Sequence, residues 1–218
     1  MGGMSTPAPG VSPPRRARSP RGQGAQLRAE ILAAAERILL ATKDESALSI
    51  RAVAAAVGVT PPAIYLHFAD RQDLVFAVCE LEAAKLEEAM DVAASGTGDP
   101  WERIRRRGYA YLRWALDNPE HYRVLMLGRP DATPERFGDE RLADTAGLGA
   151  VAGDLQAAVA AGRIRAAGDP LQLAELMWMV VHGMASLLIS KPGFPFPPVE
   201  ELYEKMFDLV HLGLAPRP

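Results

Sequence analysis

The stretch Leu48-Ser49-Ile50-Arg51-Ala52-Val53-Ala54-Ala55-Ala56-Val57-Gly58-Val59-Thr60-Pro61-Pro62-Ala63-Ile64-Tyr65-Leu66-His67-Phe68 reads as two short helices joined by a turn. Ser49 is a favoured N-cap, because its side-chain oxygen accepts one of the backbone N–H groups that a helix start leaves unpaired. The helix it opens spans Ile50–Val57. Gly58 falls where a helix end needs a left-handed residue. Thr60 is a second N-cap candidate, and Pro61 at the first helical position loses nothing by lacking an N–H. The second helix is expected to run to about Phe68. Leu48, Val53, Ala54, Val57 and Val59 form the apolar side of the first helix and the turn. Ile64 and Phe68, four apart, anchor the second helix, and the small Ala54 lets the two cross closely. The other face of the second helix presents Pro61, Pro62, Ala63, Tyr65 and His67. Two helices around a glycine turn make a helix-turn-helix candidate; the alternative is an ordinary corner in a helical bundle.

Working outward, every other segment with a clear period is helical. Leu27, Ile31, Ala34, Ala35, Ile38 and Leu39 recur at helical spacing in an alanine-rich run. Thr42–Ala47 is a polar break. Asp70 opens a further helix, with Asp73 three residues on as a relative of the capping box, and that helix continues to about Ala93. Asp99-Pro100-Trp101-Glu102 combines N-cap, proline and acid into a helix start, and the helix runs to about Asp117. Asn118-Pro119 breaks the chain before a short helix to about Leu127. Gly128–Gly138 reads as a loop, Asp144–Ala161 as a helix stopped by Gly162. Asp169-Pro170 begins an apolar helix to Ser190, and a last helix spans Val199–Leu214. No strand pattern and no internal repeat are found, so the expected fold class is all-α.

The chain has 218 residues, 49% of them hydrophobic and 23% charged, enough to bury a core. Residues 1–22 are rich in Pro, Gly, Ser and Arg and contain no acid, and are read as a disordered arm. Its four arginines suit either a DNA groove or plain solvent. The expected division is then this arm, a DNA-binding domain over residues 23–75, and a second domain over residues 76–218. Net charge is −3, but it is unevenly placed: residues 1–75 sum to +3 and the remainder to −6. A basic head on an acidic body suits a polyanionic partner. The single cysteine, Cys79, excludes an internal disulfide and fits a cytoplasmic setting. Met1–Gly24 has no apolar run of the secretory-signal kind. Leu171–Ser190 is the one membrane candidate by length, but it carries Gln172, Glu175 and His182, which are costly at bilayer depth, and no membrane partner is expected.

The spaced positions Leu48 to Ala54, Gly58-Val59-Thr60, Ile64 to Phe68 and Arg71-Gln72-Asp73-Leu74 resemble the N-terminal signature of the TetR/AcrR repressor family. Leu27–Glu36 resembles that family's first helix. The resemblance implies a one-component transcriptional repressor: a three-helix DNA-binding head joined to a helical body that dimerises and binds a small molecule. It implies phosphate contacts by Thr60, Tyr65, His67 and Arg71, with Tyr65 also near base edges. Ser49 would cap its helix and touch the backbone, and Arg51 would read guanine through two donors. Arg71 stands where the family usually has lysine. Pro61 and Pro62 remove two amides that would otherwise hold phosphate, leaving Thr60 only the Ala63 amide to cap. With Ala63 they favour apolar base contacts such as thymine methyls. Lys43-Asp44-Glu45 replace a usual loop glycine.

For the body, the resemblance implies a homodimer whose last two helices form a four-helix interface, with Gly183 and Ala185 permitting close approach. Val199, Leu202, Tyr203, Met206, Phe207, Val210 and Leu214 give the last helix its apolar spacing. Two heads about one helical turn apart, roughly 34 Å, would read a pseudo-palindromic operator on double-stranded DNA. The Trp178…His182-Gly183 arrangement resembles a subgroup of TetR C-terminal domains marked by a Trp–His–Gly pattern. Among the body's aromatics and methionines, which include Phe137, the candidates for an effector pocket are Tyr109, Tyr122, Trp178 and His182. The effector itself is expected to be a small apolar or aromatic molecule. An enzyme is not expected: the four histidines and Cys79 lack metal-ligand spacing, no phosphate-binding loop is present, and neither cofactor nor metal is implied. An activator using the same head, or a helical interaction protein without DNA binding, remains the alternative function.

Overall fold

A computed structural model describes residues 23–42, 45–127 and 147–216. The expected arm, the loop containing Phe137, Lys43-Asp44 and the expected helix start at Asp144 lie outside these residues. Nine α-helices and one short 3-10 helix (Glu45–Ala47) occur among the described residues, with no strand: α1 (Gln23–Thr42), α2 (Ile50–Val57), α3 (Pro61–Tyr65), α4 (Arg71–Ala94), α5 (Pro100–Asp117), α6 (Pro119–Leu127), α7 (Leu148–Ala160), α8 (Pro170–Ser190) and α9 (Val199–Leu214). The contacts divide the chain into two units, Met1–Val78 and Cys79–Pro218.

The first unit is a three-helix head closed by the first turns of α4. Ile31, Ala35 and Leu39 of α1, Leu48, Val53 and Ala54 around α2, Ile64 of α3, and Phe68 and Leu74 form its buried core. Local chemistry sets each boundary. Ser49 Oγ accepts from the Ala52 N–H at 3.1 Å, so α2 starts where its cap stands. Gly58 takes φ +78°, and the Gly58 and Val59 amides both donate to the Ala54 carbonyl. A side chain at that φ is strained, although open space surrounds the position. α3 is shorter than expected, ending at Tyr65; His67 and Phe68 still donate to the Ile64 carbonyl as a turn that carries Phe68 into the core. Asp70 Oδ1 accepts from the Asp73 amide, and Asp73 Oδ2 accepts from the Ala69 amide, each at 2.8 Å, so two acids cap α4 reciprocally.

In the second unit α5, α7 and α8 pack on one another, with α9 closing on α5 through Trp101, Tyr203 and Phe207 (Trp101–Phe207 ring centroids 4.7 Å apart). Asp99 and Asp169 cap α5 and α8 as their Asp-Pro pairs predict, each accepting from the amide two residues on at 3.1 Å. Arg103 and Arg107 of α5 both reach the buried Asp154 of α7, at 2.6 and 3.1 Å. Glu102 takes hydrogen bonds from Arg105 and Arg106, which hold its carboxyl down at about 2, and Arg105 also reaches Glu204 of α9. These paired charges fix the rim of the bundle.

α8 is long and apolar enough, by length and composition, to cross a membrane. Ala174, Val181 and Ala185 are its buried face, while Leu176, Met179, Val180 and Leu187 are exposed. Ala185 therefore packs within its own unit, and it is Gly183, with open space around it, that borders the exposed stripe. On α9 the apolar residues likewise split: Tyr203, Phe207 and Leu214 are buried, and Leu209 and Leu212 stand 70% and 73% exposed.

Candidate nucleic-acid interface and effector cavity

On the head, burial of Ile64 and Phe68 turns the residues between them outward. Tyr65 is 54% exposed and Leu66 82%, while His67 is partly covered. Ser49, Arg51, Thr60, Pro61 and Pro62 are exposed, and Ala63 is half-buried. Thr60 has the extended backbone of an N-cap, but its hydroxyl makes no cap bond. The Ala63 amide donates instead to the Thr60 carbonyl at 2.9 Å, tightening the first turn of α3 and leaving the hydroxyl open. The expected side-chain cap is thus replaced by a backbone one. Arg71 is half-buried, and its Nε donates to the Leu48 carbonyl at 2.7 Å, tying α4 to the segment that precedes α2. Arg28 of α1 lies over the Phe68 ring, 4.8 Å from its centroid. Leu66 is the exposed position that the sequence reading passed over. Its signal was present: Ile64 and Phe68, four apart in the core, leave Tyr65-Leu66-His67 on the other side.

The second unit contains an apolar cavity, open at its mouth, walled by α4, α5, α7, α8 and α9. Met90, Ile104, Tyr111, Trp178, Tyr203 and Phe207 are among the residues that line it. Gly108 opens the α5 wall: a Cβ there would collide with the Tyr203 hydroxyl, which donates to the Arg105 carbonyl at 2.7 Å. Next to the cavity lies a polar cluster. Tyr122 Oη is 2.7 Å from His182 Nδ1, and Tyr111 Oη is 3.2 Å from the same nitrogen. Desolvation holds the His182 imidazole below its usual value, which favours the neutral ring with Nδ1 as acceptor. Burial raises both phenols above theirs, so each remains a neutral O–H. Trp178 packs its indole 5.6 Å from the His182 ring. The structure thus brings Tyr122, Trp178 and His182 together. Tyr109 is apart: its hydroxyl donates to Glu200 at 2.9 Å on the exposed side, and Tyr111 takes its place in the cavity wall. The period of α5 explains this, since Trp101, Ile104 and Tyr111 share its buried face and Tyr109 lies off it.

Residues 31–78 match the family described as bacterial regulatory proteins of the tetR family, and residues 104–210 match the tetracyclin repressor-like C-terminal domain. The two matches do not overlap and together take in most of the chain. Among solved structures, a protein of unknown function from Rhodococcus sp. RHA1 is 27% identical, with a TM-score of 0.70 over 87% of this chain and 96% of that one. A TetR family transcription regulator from Marinobacter aquaeolei VT8 (22% identity, TM-score 0.66, 90% and 100% covered) has the same fold. So does a TetR-family transcriptional regulator from Pectobacterium atrosepticum (24%, 0.65, 92% and 100%). No curated protein sequence is similar to this chain.

Proposed function

The chain belongs to the TetR family of transcriptional regulators, and on that premise we propose that it is a homodimeric repressor released from its operator by a small molecule held in the second unit. The observation that carries the reading is the head's surface: Ile64 and Phe68 are locked in the core while Thr60, Tyr65 and Leu66 face solvent. The Thr60 hydroxyl, the Tyr65 phenol and His67 supply phosphate donors, Arg51 supplies polar base reading, and Pro61, Pro62 and Ala63 supply apolar contact. Arg71 both braces the head through Leu48 and presents its charge at the start of α4. Residues 23–75 are taken as the DNA-binding part and residues 76–218 as effector and dimer body, so the chain is read as a binding protein and not an enzyme. We also place the body in the Trp–His–Gly subgroup, since Trp178 stands in the cavity wall and His182 in the cluster beside it.

Release follows from connectivity. α4 begins at Arg71 in the head and carries Met90 in the cavity wall. A ligand that fits the cavity better in one setting of α4 than another shifts the population of that setting, and operator affinity with it. By linkage, DNA weakens ligand binding by the same factor. A mobility-shift assay with the intergenic DNA upstream of the gene tests the reading. A retarded complex whose affinity falls steeply with salt is expected; salt-insensitive or absent binding would refute it.

A further inference from the structure

The cavity's chemistry narrows what can occupy it. Among the described residues, no Lys, Arg, His, Asp or Glu side chain lines it. An ionised guest would leave water for an apolar wall without a counter-charge, which is strongly unfavourable. The neutral His182 behind Tyr111 offers no positive charge to an acid. The polar groups in the wall are also unequally occupied. Tyr203 Oη is committed to the Arg105 carbonyl, and Tyr111 Oη belongs to the cluster in which the closer Tyr122 hydroxyl donates to His182 Nδ1. Trp178 Nε1 is different: it influences the Tyr111 phenol, but it is buried and makes no hydrogen bond of normal geometry. An indole nitrogen has one N–H and can only donate. A buried donor left without a partner is unfavourable, and a guest carrying an acceptor relieves it. The rest of the wall is adaptable, with Met90, Met177 and Met206 among flat aromatic faces.

We propose that the effector is a neutral, largely apolar molecule with one carbonyl or ether oxygen that accepts from Trp178 Nε1, and not an acid or an amine. This rests on the cavity being the effector site, and the test separates the two. Three matched bicyclic probes are titrated calorimetrically into the full chain without DNA: 2-acetonaphthone (neutral, acceptor), 2-ethylnaphthalene (neutral, no acceptor) and 2-naphthoate (anion). The ketone is expected to bind about tenfold more tightly than the hydrocarbon, the scale of one relieved buried donor, and the anion most weakly. Trp178→Phe is expected to abolish the ketone's advantage over the hydrocarbon, whatever change in apolar contact it brings to both. Equal binding of ketone and hydrocarbon overturns the assignment of the donor. Naphthoate binding as tightly as the ketone overturns the neutral class, and no binding by any probe overturns both. The underlying reading is tested apart from this, by the operator complex formed with no ligand present. Should Trp178→Phe fail to fold, the three affinities of the unaltered chain still decide.

Discussion

Two hydroxyls on the head look alike in sequence, both on N-cap residues, yet they do different jobs. Ser49 Oγ holds the Ala52 amide, whereas the Thr60 hydroxyl caps nothing. Ser49→Ala is therefore expected to destabilise the head by about 1 kcal/mol in urea denaturation. Thr60→Val, which keeps the shape and removes the hydroxyl, should change stability by less than about 0.5 kcal/mol and weaken operator binding about tenfold, the scale of a hydrogen bond to a charged phosphate. A Thr60→Val protein that loses stability instead of DNA affinity would return the hydroxyl to a structural role. His182 gives the body a residue-scale signature of its own. Desolvation lowers its folded pKa, so the unfolded chain binds the proton more readily. Its contribution to stability is complete above its unfolded value of about 6.5 and is lost as pH falls through the lowered folded value. Urea midpoints should therefore drop between pH 7 and pH 5, and His182→Gln, which cannot titrate, should show a smaller drop.

At the scale of elements, the two glycines that matter act for different reasons. Gly58 is needed for its φ of +78°, with open space around it. Gly58→Ala should destabilise the head by roughly 1–2 kcal/mol, read from the denaturation midpoint, without touching the cavity. Gly108 is needed for room. Gly108→Ala presses on the Tyr203 hydroxyl and its bond to the Arg105 carbonyl, so the expected losses are stability of the body and affinity for any cavity ligand. Most helix limits were legible because their signals are local: Ser49, Gly58, Asp99-Pro100 and Asp169-Pro170 stand where the helices start and stop. The end of α3 was not, since its last turn is decided by Phe68 reaching the core, a tertiary matter. The cluster of Tyr122, Trp178 and His182 was legible as polar groups on apolar helices. Tyr111 was missed for Tyr109 although the spacing from Trp101 and Ile104 points to it. What periodicity cannot rank is a helix with two apolar faces, and α8 and α9 are both of that kind.

At the scale of the whole molecule, those second faces call for a partner. Leu176, Met179, Val180 and Leu187 of α8 and Leu209 and Leu212 of α9 are large apolar side chains left in solvent by one chain, and Gly183 lies open beside them. Exposed apolar side chains on two helices that both wall the cavity suit an association site, and a second copy of the chain is the partner that the operator reading requires, since two heads must be held at a fixed spacing. Charges placed on that stripe would be desolvated without counter-ions in a dimer but would stay in water in a monomer. Leu176→Lys combined with Leu212→Lys, two like charges that cannot pair with each other, is therefore expected to give a folded monomer by light scattering. Its helical circular dichroism should be retained, because neither residue belongs to the buried core. Operator affinity should fall by far more than for any single head substitution, because one head alone keeps only its own half-site contacts. If the doubly substituted chain stays dimeric and binds DNA as before, the two copies meet on some other face. If it becomes monomeric with DNA affinity intact, pairing is not how the heads are set. Only monomer formation together with loss of binding joins the exposed stripe on α8 and α9 to the surface around Thr60 and Tyr65.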